Sequence, residues 1–191
     1  MWVALTGTPG TGKTTVAIRL RTKGYTVVDV NALAIREGFV AGVDTKRRCK
    51  LIDIKKINAY VQKQFNQTDL LFFEGHTAHL LKAMDKVIIL RCHPSVLQGH
   101  LVKKKWGPEK IHENLEAELL DIILCEAVAL HPKRNIFEID TTKRTPAGVT
   151  RCVLVIVKNK FRPIQQYRIG QIDWSEEILK QYPATEENHG S

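Results

Sequence analysis

The chain has 191 residues, of which 43% are hydrophobic and 26% are charged. This composition is typical of a soluble globular protein that can bury a core, and no apolar run approaches the ~20 residues of a membrane-spanning helix. The formal net charge of +9 is compatible with nucleic acid, phosphorylated ligands or an acidic partner, although a lysine-rich surface alone would give the same value. The four cysteines show no Cys-x-x-Cys spacing and no signal-peptide pattern is seen, so we expect a cytoplasmic protein without a membrane partner.

Strand-like and helix-like segments alternate along the chain, which is the pattern of an α/β fold with a mostly parallel sheet. The sequence predicts five strands, at residues 2–6, 25–30, 69–73, 86–90 and 135–140. It predicts helices at residues 13–23, 31–37, 53–65, 94–104, 108–130 and 146–157. We therefore expect a three-layer α/β/α domain over residues 1–157. Residues 158–191 are expected to form a basic C-terminal appendage with a short helix at 175–181 and a disordered end.

Residues 7–15, GTPGTGKTT, stand between the first predicted strand and the first predicted helix. They match the pattern G-x-x-x-x-G-K-[ST], with Gly7, Gly12, Lys13 and Thr14 at its fixed positions. Glycines let backbone N–H groups turn toward phosphate oxygens, and the following helix N-terminus adds partial positive charge. Lys13 is expected to reach the β- and γ-phosphates of ATP, and the Thr14 hydroxyl is expected to ligate Mg²⁺. The sequence therefore predicts a P-loop.

The rest of the chain favours a small kinase among the P-loop classes. GTPases carry an N-K-x-D motif, whereas residues 159–162 read NKFR and lack the aspartate. Helicases and ring ATPases usually close a strand with paired acids, whereas one acid, Glu74, ends the third predicted strand. A kinase needs a lid that excludes water, and residues 100–112, HLVKKKWGPEKIH, are the candidate because their lysines could cover a transferring phosphoryl group.

Several further motifs occur in a fixed order along the chain. They are GTPGTGKTT (7–15), EGHTAHLL (74–81), VIILRCHP (87–94), the lid, KIHENLEAELLDIILCEA (110–127) and EIDTT (138–142). Over roughly residues 1–150 the chain resembles the CINAP-type adenylate kinases, the family of adenylate kinase isoenzyme 6, in their archaeal branch. The resemblance implies a P-loop nucleoside-monophosphate (NMP) kinase that converts ATP and AMP into two ADP and also hydrolyses ATP. It further implies a role in late maturation of the small ribosomal subunit and its 16S rRNA, with ribosomal protein S-eleven of the pre-30S particle as a transient partner.

The resemblance also assigns roles at matching positions. The ATP-phosphate contacts would be Gly10, Gly12, Lys13, Thr14 and Thr15, while Lys143 would flank the adenine. The catalytic set would be Lys13, Glu74, His76 and Lys104, with Thr14 and Glu74 at Mg²⁺. An NMP-binding segment would span about residues 30–53 and a short lid about residues 100–112.

Four positions depart from the family pattern. Glu74 stands where an aspartate is common, which keeps the charge but changes its reach. Lys104 and His100 replace two arginines, so a point charge takes the place of a planar guanidinium in the lid. The acceptor-binding arginine falls nearest Ile35, and we take its neighbour Arg36 as the substitute.

Two other functions stay open at this point. One is an ATPase assembly factor with a negligible kinase role. The other is a P-loop kinase of a non-nucleotide metabolite such as shikimate or gluconate. Shikimate kinases carry D-x-D after the second strand and a glycine run after the third, whereas residues 29–31 and 74–76 read DVN and EGH. The choice of acceptor among AMP, dAMP and CMP is also open.

The positive charge could indicate direct RNA binding, which the sequence leaves open. Only 7% of the residues are aromatic and no RNA-binding motif is recognisable, so we favour a protein partner. Since a ribosomal protein is itself basic, we expect it to meet a local acidic patch formed by Glu113, Glu116, Glu118 and Asp121.

Overall fold

A computed structural model describes residues 1–44, 49–66 and 69–177. The strands are β1 (Trp2–Gly7), β2 (Thr26–Asp29), β3 (Val40–Asp44), β4 (Cys49–Ile52), β5 (Leu71–Glu74), β6 (Lys86–Arg91) and β7 (Ile136–Asp140). The helices are α1 (Lys13–Arg21), α2 (Val30–Arg36), α3 (Ile54–Gln64), α4 (Pro94–Lys103), α5 (Pro108–Leu119), α6 (Ile122–Leu130) and α7 (Pro146–Lys158). Within the described ranges, no helix combines the length and the apolar character needed to span a membrane.

Five parallel strands form the main sheet in the order β2-β5-β1-β6-β7. From the central β1 the chain passes to β2 and β5 on one side, and then to β6 and β7 on the other. The strand order therefore reverses beside β1, and such a point opens a crevice at the carboxyl ends of the strands. Because Leu5 pairs with Glu74, the P-loop after β1 and the acid that ends β5 emerge next to each other.

Helices cover both faces of this sheet, because alternate residues of a strand point to opposite sides. Val3 and Leu5 lie in a core with residues of α1 and α7, whereas Trp2 and Ala4 lie in a second core with residues of α2, α3 and α6. The predicted five-stranded, three-layer α/β/α fold of the P-loop kinase type is confirmed. Three helices, α4, α5 and α7, begin with proline, whose fixed φ and missing N–H suit the first helical position.

The single helix predicted over residues 108–130 is wrong, because the structure divides it into α5 and α6. Between them Asp121 has a φ of +54°, in the left-handed region that residues other than glycine rarely adopt. The carboxylate of Asp121 is paired with the buried guanidinium of Arg91 at the end of β6. This long-range ion pair holds the break, and the helical periodicity gives no sign of it.

A two-stranded antiparallel sheet, β3 and β4, lies inside the segment 30–53, where the sequence predicted only a short helix. Val40 pairs with Ile52, and a register irregularity follows between Val40 and Gly42. The sequence VAGVD contains a glycine and CKLI a lysine, so neither segment gives the continuous apolar run that indicates a buried strand.

The first part of the predicted appendage packs on the sheet layers. Phe161 and Tyr167 are buried in the same core as α1 and α7, and the Phe161 ring centroid lies 6.2 Å from that of Phe137. The packing thus continues past the boundary predicted at residue 157. The end of the helix predicted at 175–181 and the predicted disordered end lie outside the described residues.

The packing of Phe161 generates a stability prediction. Phe161→Ala removes a buried ring and should lower the free energy of unfolding by about 3–5 kcal/mol, measured by urea denaturation. Arg162→Ala, at an exposed neighbouring position, is the matched control and should change it by less than about 0.5 kcal/mol. Equal effects of the two substitutions would show that residue 161 is not part of the core in solution.

Candidate active site

The P-loop is held in shape by its own backbone. Nζ of Lys13 donates hydrogen bonds to the carbonyl oxygens of Gly7 at 2.6 Å and Thr8 at 3.0 Å. Gly10 and Gly12 have φ values of +100° and +96°, which favour glycine. A Cβ on Gly10 would also lie 2.8 Å from a methyl carbon of Leu97, so the loop packs directly against α4.

Lys13 is a buried cation at the centre of this loop. Its residue is only 7% exposed, and burial lowers the pKa of the amine to about 8, with the negative charge of Glu74 acting in the opposite direction. Removal from water disfavours the ammonium, and an anion placed beside it would restore its charge. A phosphate bound in this loop would therefore stabilise the charged form of Lys13.

Thr14 and Glu74 form a pair of oxygen donors beside Lys13. Oγ1 of Thr14 donates to Oε1 of Glu74 at 3.3 Å. Burial raises the pKa of Glu74, while the positive charge of Lys13 lowers it. Mg²⁺ takes hard oxygen ligands, usually one or two from the protein with waters and substrate phosphates completing its shell. The chemistry of these two donors therefore fits a Mg²⁺ ion that arrives with ATP.

A cleft of about 810 Å³ extends from the P-loop along the carboxyl end of β5 to α5 and α6. Two of its lining residues are Asn31, after β2, and Thr77, after β5; their Oδ1 and Oγ1 atoms are buried and find no hydrogen-bond partner among the described residues. Buried polar atoms are nearly always satisfied, so two such atoms in one cleft indicate a ligand or ordered water. Neither residue was predicted, because an isolated Asn and Thr give no sequence signal.

His76, two residues after the end of β5, also lines the cleft. Its Nδ1 is 3.4 Å from Nδ2 of Asn31, and its ring is exposed to the cleft. Partial desolvation of the ring, followed by the charge of Lys13, lowers the pKa of His76. Its imidazole is therefore neutral at pH 7 and can accept a hydrogen bond from water or from a substrate hydroxyl.

The predicted lid covers the same cleft. Trp106 lines it, with Nζ of Lys104 5.4 Å and Nζ of Lys110 4.2 Å from its ring centroid. His100 on α4 places Nδ1 3.0 Å from the carbonyl oxygen of Gly10. The lid thus contacts the P-loop and presents two cations to the cleft.

The structure brings most of the predicted site residues together. Those that line the cleft are Gly10, Gly12, Lys13, Thr14, Thr15, Glu74, His76 and Lys104. Arg36 does not line it; its side chain is 69% exposed and pairs with Glu37 at 2.8 Å. Lys143 is exposed on the loop after β7 and also lies outside the lining residues.

The acidic patch predicted for a basic partner is wrong for Glu118, which is 2% exposed and paired with Arg91 inside the protein. Asp121 is paired with Arg91 as well, although 34% of its side chain is exposed. Glu113 lines the cleft, and Glu116 pairs with His112 at 3.2 Å on the surface of α5. Sequence spacing placed these acids on one helix but could not show that Arg91 lies behind it.

Comparisons with solved structures place the fold among P-loop kinases. Shikimate kinase from Acinetobacter baumannii matches with a TM-score of 0.58 at 17% identity, over 83% of this chain and 94% of that one. Thymidylate kinase from Candida albicans matches with a TM-score of 0.51 at 14% identity, over 84% and 92% of the two chains. At these identities the likeness concerns the fold alone.

Sequence comparisons are more specific. Residues 3–121 match the family model of the AAA domain. Proteins named "Putative adenylate kinase" from Archaeoglobus fulgidus and Pyrococcus abyssi are 41% and 36% identical to the chain. The alignments cover 93% and 92% of this chain, and 94% and 92% of those proteins. A third, from Methanocaldococcus jannaschii, is 33% identical over 94% of this chain and 96% of its own. The chain therefore belongs to the family of these archaeal adenylate kinases.

Proposed function

We propose that this protein transfers the γ-phosphoryl group of ATP to a nucleoside monophosphate, with AMP as the acceptor and two ADP as products. The observation that carries this proposal is that one cleft is lined by two sets of polar groups. The first set is the buried cation Lys13 with the oxygen pair of Thr14 and Glu74, and the second is the unsatisfied oxygens of Asn31 and Thr77. The first set suits the phosphates of ATP and Mg²⁺, and the second set is available to an acceptor.

Three charged residues of the cleft, Lys13, Lys104 and Glu74, would act in this reaction. Lys13 would hold the β- and γ-phosphates, and Lys104 would close on the transferring group from the lid. Thr14 and Glu74 would hold Mg²⁺, which neutralises charge on the phosphates. Backbone N–H groups of the P-loop, including Gly10, Gly12 and Thr15, would orient the phosphate oxygens.

Arg36 and Lys143 would have to move to reach a nucleotide. Arg36 lies on α2, at the start of the proposed NMP-binding segment over about residues 30–53. Closure of that segment would carry its guanidinium toward the acceptor phosphate. Lys143 lies beyond the end of β7, beside the place proposed for the adenine.

ATP hydrolysis is a second candidate activity. The neutral and exposed ring of His76 stands two residues from Glu74, where a water could replace the phosphate oxygen of the acceptor as the nucleophile that attacks the γ-phosphorus. We also propose, on the CINAP-type resemblance rather than on the cleft, a cytoplasmic role in 16S rRNA and pre-30S maturation through ribosomal protein S-eleven. The pairing of Glu118 and Asp121 with Arg91 means that such a partner would need other contacts than the predicted patch.

The proposed reaction is tested by coupled measurement of ADP production, first with ATP alone and then with AMP, dAMP or CMP added. We expect a large increase on addition of AMP, because the acceptor then occupies the part of the cleft lined by Asn31 and Thr77. ADP production that is equal with and without every monophosphate would contradict the kinase and support the ATPase. The non-nucleotide alternative predicts an increase with shikimate or gluconate instead.

The assay has a matched pair of variants. Lys13→Ala should reduce turnover by at least about a hundredfold with or without AMP, because the same cation serves the phosphates in both reactions. Lys23→Ala removes an exposed lysine after the end of α1 and should leave the rate unchanged. Near-normal turnover of Lys13→Ala would contradict the proposed role of the P-loop.

Binding of ATP should depend on pH through Lys13. Its pKa of about 8 in the free protein should rise when phosphates surround it, because they favour the ammonium. The affinity for ATP should then be greatest below pH 8 and fall by up to about tenfold per pH unit above it, with uptake of a proton on binding. Calorimetry at pH 7, 8 and 9 in two buffers of different ionisation enthalpy measures both effects. An affinity that stays constant from pH 7 to 9 would contradict this account of Lys13.

A further inference from the structure

A buried hydrogen bond links the P-loop to α5, the helix whose first turn belongs to the lid. Oγ1 of Thr8 donates to Oε2 of Glu118 at 2.5 Å, across 110 positions of sequence. The carbonyl oxygen of the same Thr8 accepts from Nζ of Lys13 at 3.0 Å and from Oγ1 of Thr11 at 2.9 Å. One residue therefore takes its position from Glu118 through its side chain and holds the phosphate-binding lysine through its backbone.

The second oxygen of Glu118 is fully occupied by donors. Oε1 accepts from Nε of Arg91 at 2.8 Å, from the backbone N of Cys92 at 3.1 Å and from Nε1 of Trp174 at 3.4 Å. With the Thr8 hydroxyl, all four partners donate in this arrangement. An ionised carboxylate accepts from all of them, whereas an amide that kept its oxygen on the three N–H donors would turn its NH₂ group to Thr8, whose hydroxyl would then lose its charged acceptor.

The C-terminal segment completes the environment of Glu118. The Trp174 ring centroid lies 6.0 Å from Cζ of Arg91 and 5.1 Å from the ring centroid of His93. In the same segment the backbone N of Gly170 donates to Oε2 of Glu138, whose other oxygen accepts from Nη1 of Arg91 at 2.7 Å. Residues 170–174 therefore donate hydrogen bonds to two of the carboxylates that surround Arg91, those of Glu118 and Glu138.

We propose that Glu118 is a positioning residue for the P-loop, and that Trp174 fixes Glu118 in this role. Arg91 is already paired with Asp121 and Glu138, so neutralising its charge does not require Oε2 of Glu118 to face Thr8. Glu118 lies on α5, which begins at Pro108 within the lid, so it ties the lid helix to the loop that holds Lys13. This inference rests on the proposed function only in taking the P-loop as the ATP-phosphate site.

The decisive comparison is Thr8→Val against Thr8→Ser. Valine keeps the shape of threonine and removes the hydroxyl, whereas serine keeps the hydroxyl and should restore binding. We expect Thr8→Val to weaken binding of a non-hydrolysable ATP analogue about tenfold to a hundredfold, the usual range for a hydrogen bond to a charged group, and Thr8→Ser to stay within about threefold of the unaltered protein. The measurement is calorimetric titration with the analogue and Mg²⁺, without AMP.

Glu118→Gln should weaken analogue binding to a similar extent, with Glu116→Gln on the surface of the same helix as its control. Trp174→Phe, which removes one donor to Glu118, should weaken it by about fivefold. In steady state all these losses should appear in the KM for ATP, with the KM for the monophosphate unchanged. Thermal melting of each variant reports whether it is folded. If Glu118→Gln does not fold, the comparison of Thr8→Val with Thr8→Ser alone tests the role of Glu118.

Unaltered affinity of a folded Thr8→Val would overturn the proposal, as would equal losses for Thr8→Val and Thr8→Ser. A loss confined to kcat would also overturn it, because a misplaced P-loop must weaken binding. The binding test separates this inference from the proposed reaction. If the unaltered protein binds the analogue but makes no additional ADP with AMP, the kinase fails while the role of Glu118 is still measured. If it binds no analogue, both fail.

Discussion

The buried guanidinium of Arg91 is the contact on which the arrangement of sheet, lid helix and P-loop depends. Burial disfavours its charge, but the carboxylates of Glu118, Asp121 and Glu138 outweigh that effect and raise the pKa of Arg91 above its ordinary value. One cation at the end of β6 thus joins α5, the turn before α6 and the neighbouring strand β7. Such a group is costly to desolvate and is stable only with its partners in place, so it fixes one geometry.

The architecture of the domain could be predicted because its signals are local. Buried strands, proline at helix starts and the P-loop pattern occupy short windows, and they predicted the five strands, most helices and the place of Lys13 and Thr14. The prediction failed where the cause lies far away in sequence. Asp121 breaks a helix because Arg91 binds it from 30 positions earlier, and Glu118 is buried because Thr8 and Arg91 lie behind α5.

In the site, too, the residues with local sequence signals were predicted and those placed by long-range contacts were not. The glycines, Lys13, Glu74 and the lid lysines belong to patterns whose chemistry is readable, and the fold brings them to one cleft. Asn31 and Thr77 were revealed only by their unsatisfied atoms in the structure, and Trp174 only by its contact with Glu118. A segment that sequence placed outside the domain thereby contributes to the surroundings of the P-loop.

The proposed reaction requires one cleft to hold the phosphates of ATP and an acceptor nucleotide together. Calorimetric titration with a bisubstrate analogue, two adenosines joined through five phosphates, measures this simultaneous binding. We expect one analogue per chain, bound at least about a hundredfold more tightly than ATP, because its two halves occupy the P-loop and the acceptor part of the cleft at once. Binding no tighter than that of ATP, or two analogues per chain, would contradict it.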